Sequence, residues 1–153
     1  MTEELVDELI RATTTIGEHY YASAAAQQLG VQEARLLFIL STEPSNMLGL
    51  ASTLSLPKST ITGIMARMEA AGLVVRERGS HDRRNLVATP TAKGRRAAVA
   101  FAKDLAGRVE GVMAGAGFDG ASQAELASIL STMLANVDSG ERQQSDRVGD
   151  AAE

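Results

Sequence analysis

The chain has no cysteine in 153 residues and only two histidines, His19 and His81. Without thiols it cannot sense oxidants through a reactive cysteine, nor hold zinc through sulfur. The two histidines stand in no ligand spacing to a carboxylate cluster, so no metal site is expected. There is no legible Ser–His–Asp arrangement, no phosphate-binding P-loop and no dinucleotide fingerprint, so neither a cofactor nor an enzymatic reaction is indicated. No apolar run approaches membrane-spanning length, and Glu3, Glu4 and Asp7 occupy the start, where a signal peptide carries cations and then an apolar stretch. The expectation is a soluble cytoplasmic protein with no membrane partner. Internal repeats are absent as well.

What is present is ordinary in amount and uneven in placement. A hydrophobic fraction of 44% over this length fits one globular domain with an extension. The net charge of −4, from 15 Lys+Arg against 19 Asp+Glu, argues weakly against a polyanionic partner. Between Pro57 and Arg96, however, nine cations (Lys58, Arg67, Arg76, Arg78, Arg83, Arg84, Lys93, Arg95, Arg96) face three acids (Glu69, Glu77, Asp82). That local excess of six positive charges leaves ten negative for the rest of the chain. Local potential decides whether phosphate is attracted, and an acidic remainder favours one docking orientation.

The same segment carries the clearest periodicity. From Lys58 to Ala71, the residues Ile61, Ile64, Met65 and Met68 recur at i, i+3, i+4 and i+7, one buried stripe of a helix. The opposite face carries Ser59, Thr62, Gly63, Ala66 and Arg67, small or hydrogen-bonding groups where a solvated helix carries Glu and Lys. Such a face allows close approach to another surface, and its hydroxyls suit phosphates or base edges. Pro57 opens this helix and Gly72 closes it, in the left-handed conformation of a helix C-terminus. The free N–H groups of its first turn, near Lys58, Ser59 and Thr60, are placed to hold a phosphate. A preceding helix, about Leu48 to Ser55, buries Leu50, Ala51 and Leu54 after a turn-like lead-in at Pro44, Ser45 and Asn46.

After Gly72 the period changes to that of strands. Leu73–Arg78 and Asn85–Thr89 are β-branched runs separated by Gly79-Ser80-His81-Asp82-Arg83-Arg84, which reads as a hairpin with a long polar loop. Paired arginines at the tip of such a loop suit the minor groove or the phosphates beside it, with Asp82 in reach to orient Arg84. The candidate DNA contacts are therefore Lys58, Ser59, Thr60, Thr62, Gly63 and Arg67 on the helix, and Arg78, His81, Asp82, Arg83 and Arg84 on the wing.

This segment resembles the winged helix-turn-helix of the MarR family of bacterial transcription regulators. The resemblance rests on LASTLSLPKSTITGIMARMEAAGLV, on the Asp82-Arg83-Arg84 tip, and on Thr91-Ala92-Lys93-Gly94 opening the next helix. It extends less distinctively over residues 4–138. It implies a homodimer joined by helices from both chain ends, bound to pseudo-palindromic operators in double-stranded DNA, and released or weakened by a small molecule. The fold class expected is mainly α with a small β-hairpin wing, a winged helix-turn-helix domain plus a helical dimerisation domain.

The flanks fit this order. Glu4 to Leu29 is a long helical pattern with Leu5, Leu9, Ile16 and Tyr20 near one face, ended by Gly30. Val31 to Ser41 is a second helix whose five consecutive apolar residues, Leu36 to Leu40, imply burial nearly all round. Thr91 caps a helix from about Ala92 to Ala114, Gly115-Ala116-Gly117 breaks it, and Ser122 begins a last helix with the stripe Leu126, Ile129, Leu130, Met133, Leu134 and Val137. The last two helices exceed what a small winged domain needs, so a partner chain is the expected cover, the alternative being that both fold back on the monomer. The boundaries are 1–30 for an N-terminal dimerisation helix, 31–91 for the DNA-binding domain, 92–138 for the C-terminal dimerisation helices and 139–153 for a polar tail, disordered or helical only by extension. For a small aromatic or anionic effector the best polar-aromatic cluster is His19, Tyr20 and Tyr21; the edge of an ordinary core explains these three equally well. The alternative from another class is a winged-helix protein–protein module without an operator, in which apolar or acidic residues would occupy the exposed helix face.

Overall fold

The computed structural model describes residues 2–42, 45–78, 86–114, 117 and 119–149, in two compact units, Met1–Glu110 and Gly111–Glu153. Helix α1 runs over Glu3–Ala26, and the Thr2 hydroxyl accepts the Leu5 N–H at 3.3 Å at its start. Glu3 and Glu4 in the first turn complement the partial positive charge there. The helix ends earlier than the sequence suggests, and the left-handed residue is Gln28, with φ 56°, instead of Gly30. The chain must reverse at that point to send Leu29 into the core, where it is 9% exposed. Gly30 serves the next helix instead. Its N–H donates to Glu33 Oε2 at 3.0 Å and its carbonyl accepts from Ala34 N–H at 2.9 Å, which anchors the start of α2, Val31–Thr42.

Helix α2 buries Ala34, Leu36, Leu37 and Leu40 and leaves Phe38 51% exposed. Five apolar residues in a row therefore do not mean all-round burial: a helix turns about 100° per residue, so Phe38 points away from the face its neighbours share. The lead-in at Ser45–Asn46 is a short strand, β1, and not a simple turn. It pairs with the free edge of the later hairpin, Ser45 with Ala88 and Asn46 with Val87. Helix α3, Met47–Thr53, follows directly, and Leu50 and Leu54 from this region are buried. Ser55, at φ 50°, makes the turn into α4, Lys58–Ala70.

Helix α4 buries the four residues its spacing predicts, Ile61, Ile64, Met65 and Met68, none more than 4% exposed. It closes on a paired-bond cap: Gly72 at φ 68° donates to Glu69 O (2.8 Å) and Leu73 N–H to Met68 O (2.9 Å). Strands β2, Val74–Arg78, and β3, Leu86–Pro90, form an antiparallel ladder from Val74 opposite Pro90 to Arg78 opposite Leu86. The sheet order is β1-β3-β2. Residues 79–85, and with them His81, Asp82, Arg83 and Arg84, lie outside the described residues.

Helix α5, Ala92–Ala114, starts and ends where the sequence places it. Thr91 caps it by accepting the Gly94 N–H at 3.0 Å and also donates to Gly72 O at 2.7 Å. Lys93 Nζ donates to Ala71 O at 2.7 Å. A Cβ on Gly94 would lie 2.0 Å from the Leu73 carbonyl oxygen, so only glycine lets the two backbones approach this closely. The start of α5 is thus bonded to the end of α4. The core of this unit runs from Ala24 and Leu29 through Leu36, Leu50 and Met65 to Ala98 and Phe101.

In the second unit, α6 spans Gly120–Gly149. Its cap is Asp119, whose carboxylate accepts the Ser122 N–H at 2.8 Å, so the helix begins two residues before the expected Ser122. Residues 139–149 are helical by extension of α6, where a disordered tail was the other expectation. Glu141, Arg142, Gln143, Gln144 and Arg147 are good helix formers and no proline intervenes.

Candidate nucleic-acid interface

Opposite its buried stripe, α4 leaves Lys58, Ser59, Thr60, Thr62, Gly63, Ala66 and Arg67 exposed. Pro57 precedes the helix without a side-chain cap, so the N–H groups of its first turn keep free hydrogen-bonding capacity. Lys58 has no ionic partner among the described residues. These two features together suit an anion at the helix start. Thr62 donates its hydroxyl hydrogen to Lys58 O at 2.8 Å, which leaves its lone pairs outward. In this conformation Thr62 accepts, and so meets the amino groups of adenine or cytosine better than it meets phosphate. A Cβ on Gly63 would have nothing within 4 Å. The fold itself therefore does not require glycine there, and the open space lets another surface come close.

Of the nine cations between Pro57 and Arg96, the four with described partners divide into two kinds. Arg76 pairs with Glu69, whose carboxyl is held below its ordinary range chiefly by the Arg76 hydrogen bond. Arg67 Nε lies 3.4 Å from Glu33 Oε1, and its Nη1 donates to Gly63 O at 3.4 Å. These two arginines are partly neutralised. Lys93 and Arg95 donate instead to carbonyls, Ala71 O and Pro90 O, both at 2.7 Å. A carbonyl carries no net charge, so these two keep their positive charge while bracing the backbone. Sequence reasoning counted all nine cations alike and missed Glu33 as a partner of Arg67, because 34 residues separate them. Only the nearer half of Glu33's role was findable, as an acid three residues after Gly30 at a helix start. Of the wing candidates, the backbone of Arg78 closes the strand ladder opposite Leu86. The tip residues lie outside the described residues.

The His19, Tyr20 and Tyr21 cluster does not converge. Tyr20 packs edge-on against Phe101 with ring centroids 4.8 Å apart, and burial pushes its hydroxyl pKa up against the opposing effect of Arg35. Tyr21 is 64% exposed and His19 is half-buried, as successive positions on a helix must diverge. A shallow groove of about 600 Å³ lies nearby, lined by Gln27, Ala100, Lys103, Asp104, Gly107 and Arg108. In it Arg108 Nε donates to Asp104 at 2.7 Å, which holds that carboxyl low, with the Ser23 hydroxyl a lesser contributor. Ser23 is fully buried, and its hydroxyl makes no well-formed hydrogen bond among the described residues. No group of acids and histidines suited to a metal ion occurs among the described residues, and no described helix is long and apolar enough to cross a membrane.

The sequence model of the MarR family matches residues 27–85, from the end of α1 to the hairpin. No curated protein sequence matches the chain. Among solved structures, the transcriptional repressor CouR bound to a 23-mer DNA duplex is 27% identical, with a TM-score of 0.69 over 88% of this chain and 97% of that one. The transcriptional regulator BldR from Sulfolobus solfataricus is 25% identical, with a TM-score of 0.71 over 89% and 99%. CouR from Rhodococcus jostii bound to p-coumaroyl-CoA is 22% identical, with a TM-score of 0.71 over 86% and 92%, a likeness that bears on the fold alone.

Proposed function

From the match of residues 27–85 to the sequence model of the MarR family, and from a fold similar to those of transcriptional regulators, we propose that this chain is a sequence-specific DNA-binding repressor. It acts as a cytoplasmic homodimer on pseudo-palindromic operators. The observation that carries this reading is the exposed face of α4: small, hydroxyl-bearing, uncapped at its start, and open above Gly63. A protein-docking face would carry apolar or acidic groups there. The first turn of α4 holds a phosphate, Thr62 meets a base edge, and the wing arginines Arg83 and Arg84, with Arg78 and His81, grip the flanking backbone. Asp82 orients Arg84. In the dimer, α1, α5 and α6 join the two copies, with recognition helices about 34–36 Å apart, one turn of DNA.

A small aromatic or anionic effector relieves this binding. The likeness to the repressor CouR, solved on a 23-mer DNA duplex, supports the DNA-binding half of this reading; the effector half rests on the resemblance of the helix-turn-helix and wing segment to the MarR family. Of the cluster His19, Tyr20 and Tyr21, it is Tyr20, set against Phe101 and near Arg35, that has the position to meet such a ligand. The test is a gel shift with the DNA upstream of the chain's own gene at a stated salt concentration. A discrete complex that resists excess random DNA is expected. Binding to neither DNA, with the chain folded, overturns the reading and leaves the protein-docking module.

A further inference from the structure

The Glu33 carboxylate has a separate task for each oxygen. Oε2 accepts the Gly30 N–H at 3.0 Å, and Oε1 faces Arg67 Nε at 3.4 Å. The first contact fixes the carboxylate at the start of α2; the second reaches across to the third turn of α4. Glu33 is 19% exposed and Arg67 65%, so the acid is held in place while the guanidinium is largely in solvent. Both Arg67 contacts, to Glu33 and to Gly63 O, are 3.4 Å long, near the outer limit of hydrogen bonding. Such a pair exchanges readily for a better anion. Lys58, on the same face, carries no such restraint among the described residues.

We propose that Glu33 is a specificity-determining residue, a fixed counter-anion that competes with DNA for Arg67. The proposal rests on α4 being the DNA-reading helix. A guanidinium already paired with a carboxylate contributes less to non-specific binding, which is driven by neutralising phosphates and releasing their counterions. Glu33, tied to the Gly30 N–H, cannot swing away when a duplex arrives, so it stays in competition for Arg67. Only a duplex that presents a phosphate or guanine edge in good geometry draws Arg67 off it. The acid thereby lowers affinity for random DNA more than for the operator.

Glu33→Gln separates this role from the structural one, because the amide oxygen still accepts the Gly30 N–H while the charge is gone. Fluorescence anisotropy with a random-sequence duplex, and with the duplex the protein selects from a random pool, is measured over a range of salt. The variant should bind random DNA about two- to fivefold more tightly, the range an exposed ion pair allows, with a salt slope steeper by up to about one per subunit. The gain on the selected duplex should be smaller, so discrimination falls. In an Arg67→Ala background, Glu33→Gln should change little. Unchanged or weaker random-DNA binding by a folded Glu33→Gln overturns the proposal, as does an equal gain when Arg67 is absent. If the wild-type chain binds neither duplex, the DNA-binding reading itself falls, and the proposal with it.

Discussion

In α4 the residues Ile61, Ile64, Met65 and Met68 are at most 4% exposed, whereas in α1 Leu5, Leu9 and Ile16 are 40–49% exposed. Both sets follow helical spacing and both read as a buried stripe in sequence. The difference lies in what covers them. The α4 stripe meets α2, α3 and the hairpin of its own unit. Among the described residues of its own unit, the first two-thirds of α1 meets nothing comparable; α6, in the other unit, carries Ile129, Leu130 and Met133 about half exposed as well. Periodicity therefore reports that a face is meant to be buried and is silent about which chain buries it. Covering each half-exposed Leu or Ile is worth about 1 kcal/mol, so the proposed second copy, laid on these faces, would gain several kcal/mol.

The comparison breaks most easily at its two extremes. Met65→Ala should cost about 2–5 kcal/mol of folding stability, read by thermal or denaturant unfolding. Ile16→Ala should cost an isolated chain under about 1 kcal/mol and act on self-association instead. Equal losses from both would mean that α1 is covered within the monomer. A second pair contrasts two glycines. Gly94→Ala drives a methyl into the Leu73 carbonyl and should destabilise by about 1–3 kcal/mol. Gly63→Ala meets open space and should stabilise α4 by up to about 1 kcal/mol, yet weaken DNA binding if close approach is what Gly63 serves. Arg84→Ala should weaken binding to every sequence and reduce the salt slope by about one per subunit; unchanged affinity would remove the wing from the interface.

The smallest effect concerns acid. Glu69 is held below its ordinary pKa by Arg76, joining α4 to β2. A carboxyl lowered in the folded state stabilises fully above its unfolded value and loses that contribution as pH falls through the folded one. Stability measured from neutral pH downwards should therefore fall less steeply in Glu69→Gln than in the wild type, and only below the ordinary glutamate range.

What the sequence made legible follows local rules. The α4 stripe, the Gly72 cap and the limits of α5 at Ala92 and Ala114 all depend on residues within a turn or two of each other. The misplacements share a tertiary cause. Gln28 took the left-handed turn because Leu29 had to reach the core, β1 formed because β3 offered an edge, and Phe38 stayed out because its neighbours occupy the inward face. Within the candidate site, the helix face was visible from residue type alone. The Glu33–Arg67 pair was not, since side-chain partners 34 residues apart leave no pattern in the chain.

On the proposed reading, α4 and the hairpin meet DNA while the exposed apolar faces of α1 and α6 bring two copies together. Sedimentation equilibrium of the full chain, alone and with the duplex it selects from a random pool, tests both halves at once. The predicted result is a dimer at micromolar concentration and a complex of two chains per duplex. A stable monomer that leaves the duplex free would contradict it.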